Sequence, residues 1–271
     1  MIGDVVGDPG LEALERRLPL LVKENSVDLA VVNGENVAGG FGLTAPLLER
    51  IFAAGADIVT GGNHIWEKRE FWPVLDAEKR IIRPMNYPPG NESPGRGWVK
   101  LEKLSSLGSI SWVAINLQCR EYMSPIDCPF RSFDAFEAEL ADQNNGEKSF
   151  SEKPLILVDF HAESSREKEA LAYYLDGRVT VLVGTHTHVQ TADERLLPKG
   201  TAYITDLGMT GILDSVIGMD KKICLDRARN QVLYRMEVAA PPDEKAAVQG
   251  IIVEIDWETK KPLSIGRFSI Y

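Results

Sequence analysis

Short apolar runs alternate with amphipathic stretches along this chain, and that alternation is its strongest constraint on the fold. Asp28–Val32 and Asp57–Thr60 read as short buried strands. Between them, Thr44 takes a helix N-cap position, with Pro46 in the first turn and Gly55 just past the end. Before them, Asp8-Pro9 opens a helix with Leu11, Leu14, Leu18, Leu21 and Val22 on one face. Pro19 is expected to bend or interrupt that helix. Strand, helix, strand, helix implies a parallel sheet with helices packed on it. The second half repeats the order, with a strand over 155–160, a helix over 166–175 and a strand over 179–183. Residues 98–104 and 110–115 read as strands, and 250–254 and 263–269 alternate like antiparallel ones. The stretch 84–97, rich in proline and glycine, is a loop, and the polar stretch 142–153 reads as an exposed loop insertion. Strand signals flank both, so residues 1–271 are taken as a single α/β domain, mixed sheets flanked by helices.

The chain carries 40 acidic and 30 basic residues, a formal charge of -10. Such a surface argues against an extended nucleic-acid groove, although a small phosphorylated ligand can still be held by a local positive centre. No apolar run approaches the ~20 residues that span a bilayer. Met1-Ile2-Gly3-Asp4 has no basic stretch followed by an apolar one, and a cytoplasmic location is expected. Cys119, Cys128 and Cys224 fit neither a disulfide framework nor a zinc spacing, and are expected to be reduced thiols.

The polar residues with chemistry gather behind the expected strands. They form the clusters Gly3-Asp4, Asn33-Gly34-Glu35-Asn36, Gly61-Gly62-Asn63-His64, Asp159-Phe160-His161 and Gly184-Thr185-His186-Thr187-His188. In an open α/β sheet, ligands bind at the carboxyl ends of strands. Alone, each cluster is an ordinary turn. Together they use all 4 histidines of the chain, which points to a shared site. Imidazole, carboxylate and amide oxygen suit a borderline divalent metal such as Fe, Mn, Zn or Co. Two such ions joined by a carboxylate can generate hydroxide and clamp the oxygens of an in-line phosphoryl displacement. His186 and His188, two residues apart, point the same way if their segment is extended, so both can reach a metal. The glycines of the clusters allow close backbone approach.

This ordered set resembles the calcineurin-like metallophosphoesterases, most tellingly in Asn63-His64 and His186-Thr187-His188. Two departures stand out: Val6 replaces the histidine of the usual Asp-x-His, and Gly34-Glu35 replaces the usual Gly-Asp. Both departures mark one branch, the YmdB-like phosphodiesterases, and the runs 3–7, 31–36, 62–64, 159–163 and 183–193 are similar to it throughout. So are 200–206 and 208–211. The resemblance implies the calcineurin-like fold and a dinuclear site. One ion would take Asp4, Glu35, Asn36 and His188; the other would take Glu35, Asn63, His161 and His186, with Glu35 bridging. It implies two divalent transition-metal ions, Fe or Mn, and His64 as general acid. It further implies a small phosphodiester substrate, a 2′,3′- or 3′,5′-cyclic nucleotide, cleaved by a hydroxide held on the metal pair. A homo-oligomer is compatible with it. Family members begin with several more apolar residues before their Gly-Asp. Only Met1, Ile2 and Gly3 precede Asp4, so the first strand is expected to lack about four residues of a typical strand.

Other residues admit two readings each. Asp206 and Thr205 either support the site or cap a turn, and Asp159 either orients His161 or ends a strand. Trp66, Phe71 and Trp72 are expected to pack a helix rather than line a base pocket, and Arg83 to lie at the surface rather than meet a phosphate. The rival functions are a metal-containing regulator of the same fold without relevant turnover, and an amidohydrolase-type hydrolase. In the latter class, His-x-His belongs to the first strand rather than to residue 186.

Overall fold

Runs buried on both faces become the central strands, and the computed structural model describes them within residues 1–88, 93–105, 108–146, 154–240 and 245–271. The first half comprises β1 (Asp4–Val5), α1 (Gly7–Glu24), β2 (Val31–Asn33), α2 (Ala45–Ala53), β3 (Ile58–Thr60), α3 (Trp72–Ala77) and β4 (Ile81–Ile82). The middle holds β5 (Trp98–Ser105), β6 (Gly108–Gln118), α4 (Pro129–Gly146), β7 (Leu155–His161), α5 (Ser165–Leu175) and β8 (Val181–Thr185). The last part adds β9 (Arg195–Leu196), β10 (Ala202–Ile204), β11 (Met209–Ile212), α6 (Lys221–Asn230), β12 (Ala246–Ile255) and β13 (Pro262–Ile270).

The strands form two layers. Parallel β2-β3-β4 and the mixed β1-β11-β12-β13 are joined through Ile2, which bridges Val32 on one side and Gly250 on the other. The second layer runs β5-β6-β7-β8-β10-β9, parallel at its centre from β6 to β10. Val31, Ile58 and Ile251 meet Ala114, Leu157, Val183 and Ile204 between the layers. Leu11, Leu14 and Leu18 of α1, with Leu48 and Ile51 of α2, cover the outer face of the first layer. Phe133, Phe136 and Leu140 of α4, with Leu171 and Leu175 of α5, cover the second. Each such side chain contributes roughly 1.5–3 kcal/mol by leaving water. The result is an α/β/β/α stack whose parallel strands present their carboxyl ends together.

Three local expectations change. Helix α1 runs unbroken through Pro19. Pro19 is exposed, so the Glu15 carbonyl that loses its donor faces solvent, while the leucine face anchors both halves. Thr44 stands at the N-cap of α2 in extended backbone, but its side chain makes no capping bond. The polar stretch 142–153 is not wholly loop: 142–146 form the last turn of α4, and 147–153 lie outside the described residues. Phe133, Phe136 and Leu140, spaced at helical intervals, hold that helix down, so its polar end needs no apolar residues of its own.

Candidate metal centre

The two-residue β1 and the carboxyl ends of β2, β3, β7 and β8 bring all the expected residues to one place. Asp4 opens β1, Glu35 and Asn36 follow β2, and Asn63 and His64 follow β3. His161 ends β7, and His186 and His188 follow β8. Asp4, Glu35 and His161 are fully buried.

The donors form two knots. In the first, His161 Nε2 lies 3.0 Å from Asn63 Oδ1, 2.9 Å from Glu35 Oε1 and 3.0 Å from His186 Nδ1. Among the described residues, Glu35, His161 and His186 are the group whose ligand atoms all fall within 4.8 Å of one another. In the second, His188 Nε2 lies 3.6 Å from Asp4 Oδ1 and 3.2 Å from Asn36 Nδ2. The His186 N–H donates to Asp4 Oδ2 at 3.2 Å and ties the two knots together.

The outer nitrogens fix the tautomers. Thr185 Oγ1 donates its proton to Asp159 Oδ1 at 2.7 Å, so it accepts from His161 Nδ1 at 3.0 Å. His188 Nδ1 donates to the Ile217 carbonyl at 2.8 Å. Each ring in its neutral form therefore aims a bare Nε2 lone pair at a carboxylate. Lone pair against carboxylate is repulsive unless positive charge sits between them. The remaining observations agree. Among the described residues, the buried Glu35 Oε1 and Asn36 Oδ1 have no hydrogen-bond partner. A half-turn of the Asn36 amide brings that Oδ1 to face Asp4 and His188. Burial alone lowers His188, yet Asp4 outweighs it and the imidazole is pushed up to about 9. Burial alone raises Glu35, yet the nearby His161 holds it below its ordinary value. The donor set fits a cation.

Asp159 orients rather than merely ending a strand. It accepts from Thr185, from Thr60 Oγ1 and from Asn33 Nδ2 at 3.2 Å, and burial pushes it up to about 6. Asn33 in turn receives the Glu35 N–H on Oδ1 at 3.2 Å. Gly62 makes the first knot possible: a Cβ there would strike Glu35 Oε2 and the His161 ring.

His64 stands at the edge of the cluster. Its backbone N–H donates to Glu35 Oε2 at 3.0 Å, whereas its ring lies against Phe41, edge to face, with Nδ1 at 3.4 Å from Glu67. The extended backbone expected for His186 and His188 is not found. Both are left-handed, with φ of 97° and 63°. They reach different knots, because left-handed backbone on both sides of Thr187 re-aims the side chains where an extended segment would keep them parallel.

Several other expectations resolve. Arg83 is buried, not at the surface, and its guanidinium donates to the carbonyls of Pro84, Met85 and Ser93, holding the loop. Trp66, Phe71 and Trp72 pack as expected: Phe71 is in the core, Trp72 donates to the Trp66 carbonyl, and Trp66 lies on Tyr87. Thr205 bonds Asp193, away from the site, while Asp206 lies under Thr187. Sequence reasoning missed Thr60 and Lys168, partners of Asp159 and Asp206, and gave Thr185 no role beyond its place in a cluster. A cavity of about 450 Å³ lined by Leu21, Leu29, Trp112 and Val253 touches none of these clusters.

Comparison with known proteins follows the same outline. A family profile described as YmdB-like protein matches residues 1–268. The chain is 41% identical, over 99% of its length and 95% of the relative's, to a 2′,3′-cyclic-nucleotide 2′-phosphodiesterase of Bacillus subtilis (strain 168). Among solved structures, a hypothetical protein from Thermus thermophilus superposes with a TM-score of 0.85 at 37% identity, covering 99% of this chain and 96% of that one. A phosphatase from Mycoplasma pneumoniae gives a TM-score of 0.86 at 30% identity, covering 99% and 91%.

Proposed function

The chain belongs to the YmdB-like family and carries the metallophosphoesterase fold, and on that premise we propose that it is a metal-dependent phosphodiesterase acting on cyclic nucleotide monophosphates. The observation that carries this reading is the pair of imidazole Nε2 atoms that face the buried carboxylates of Glu35 and Asp4. Asp4, Glu35, Asn36 and His188 hold one divalent ion, and Glu35, Asn63, His161 and His186 hold the other. Iron or manganese suits this mixture of imidazole, carboxylate and amide oxygen. When bound, the cations supply the charge that stabilises phosphoryl oxygens and activates water near neutral pH.

The chain's own residues do the rest. His64, outside both knots, has Nδ1 facing Glu67, which leaves Nε2 to carry a proton to the departing ribose oxygen. The Glu35 bond to the His64 backbone fixes that ring's place relative to the knots. Phe41 limits the ring's rotation from the other side. The 2′,3′-cyclic phosphodiester is the first candidate substrate, since the Bacillus subtilis relative is named for it, and the 3′,5′-cyclic diester is the second. Free thiols at Cys119, Cys128 and Cys224 suit the reducing cytoplasm proposed as its location.

Elemental analysis combined with turnover of both cyclic diesters tests the reading. About two transition-metal ions per chain are expected, with hydrolysis that Glu35→Gln reduces together with metal content. Active protein with one ion, or a fully active Glu35→Gln, would overturn the dinuclear assignment. Absence of hydrolysis by metal-loaded protein would overturn the activity.

A further inference from the structure

Lys168 is a charged residue where a charge is costly. It belongs to α5, its side chain is 1% exposed, and its Nζ lies 2.6 Å from Asp206 Oδ2, also 1% exposed. To get there its stem passes under Gly184, where an added Cβ would lie 2.8 Å from Lys168 Cδ and Cε. A buried ion pair is a poor source of stability, since desolvation consumes most of the attraction and well-packed apolar residues do as well. The reason for this pair lies in what Asp206 holds.

Asp206 sits in the crossing between β10 and β11, where the chain leaves one sheet layer for the other. Its Oδ1 accepts the Gly208 N–H at 2.9 Å. Its Oδ2, besides Lys168, accepts the Thr187 hydroxyl at 2.8 Å and the Thr187 N–H at 3.3 Å. Thr187 is the residue between the two left-handed histidines. Non-glycine residues in that conformation persist only where the surroundings over-determine them. The crossing also borders the first ligand-type residue: Met209 pairs with Asp4, and the Gly208 carbonyl lies where a Gly3 Cβ would be.

We propose that the buried Lys168–Asp206 pair positions the two metal-ligating histidines, gripping Thr187 so that His186 faces one knot and His188 the other. The pair touches neither substrate nor metal, so both members are positioning residues. The inference rests on the functional reading above, in which both histidines are ligands. Oδ2 takes three donors, and the Lys168 ammonium among them offsets the burial that pushes Asp206 up from its ordinary value. Apolar replacements could fill the space but could not grip Thr187.

The test uses the full chain, stripped with a chelator and titrated with Mn²⁺ by calorimetry, and Co²⁺-loaded protein read by its visible absorption. Thr187→Val removes only the hydroxyl and leaves the ion pair in place. Lys168→Met removes the balancing charge. Both are expected to weaken Mn²⁺ binding by roughly 10–100-fold, as loss of ligand-orienting partners does, and to alter the Co²⁺ spectrum. Thr187→Ser, which restores the hydroxyl, is expected to restore both. Should Lys168→Met fail to fold, Thr187→Val carries the test. Unchanged Mn²⁺ affinity and Co²⁺ spectrum in folded Thr187→Val overturns the proposal, even if its melting temperature falls. A wild-type protein that binds no Mn²⁺ or Co²⁺ overturns the functional reading itself, a result visible before any variant is made.

Discussion

At His64 the backbone and the side chain do separate work. The N–H fixes Glu35 and the ring stands clear of both knots, so replacing the ring should spare the metal. His64→Ala is expected to retain its ions and lose roughly 10²–10⁴-fold in rate. The loss should shrink on a p-nitrophenyl diester, whose leaving group needs little protonation. Equal losses on good and poor leaving groups would exclude the proton-donor role. Gly62→Ala is expected to act the other way, displacing Glu35 or His161 and losing metal, which elemental analysis would detect. At this scale the cluster was legible in the sequence because imidazoles, carboxylates and amides behind strands have few structural uses in common. Lys168 was not legible. In Ser165-Arg166-Glu167-Lys168-Glu169 it reads as part of a solvated helix face, and only the tertiary path under Gly184 explains its burial. Arg83 was misjudged for a related reason, since a loop wraps the guanidinium with carbonyls that have no sequence signature.

Among the elements, α1 carries a defect that can be repaired. Pro19 withholds an N–H from the Glu15 carbonyl on an exposed face, and nothing in the leucine stripe requires it. Pro19→Ala is expected to stabilise the protein by roughly 1–3 kcal/mol. Thermal unfolding should show a rise of several degrees, and a fall would mean that the helix depends on the ring. The strands were readable because buried parallel strands are continuous apolar runs. Their ends were less so, since β2 starts at Val31 rather than Asp28. Helix α4 escaped notice because its apolar residues are few and its last turn is wholly polar. The segment after β8 was misread for a different reason. Alternation predicts where side chains point only while the backbone stays extended, and hydrogen bonds to Asp206 and Ile217 from elsewhere in the chain bend it.

On the scale of the molecule, the centre draws side chains from both sheet layers. Asp4, Glu35 and Asn63 come from one, and His161, His186 and His188 from the other. Ions bound there would cross-link the layers, so removing them should loosen the whole fold. Chelation is expected to lower the melting temperature, with roughly 2.7 kcal/mol lost per ion held at a hundredfold excess over its Kd. Glu35→Gln should shrink that difference, and a melting temperature indifferent to chelator would contradict the cross-link. The layer order could not be read from the sequence, because alternation identifies strands and not which of them pair.

The pairing of β1 with β11 has a consequence for how the chain is made. Asp4 leaves the ribosome early, but its ladder partner Met209 is synthesised about 200 residues later. At ~5–20 residues per second that is a delay of roughly 10–40 s. Val32 can receive Ile2 long before then, yet the other side of the strand has nothing to pair with until translation is nearly over. A nascent chain that stalls before β11 therefore holds its first acidic residue on a half-seated strand. Any ion that uses Asp4 would find its site complete only once β11 has been made and paired.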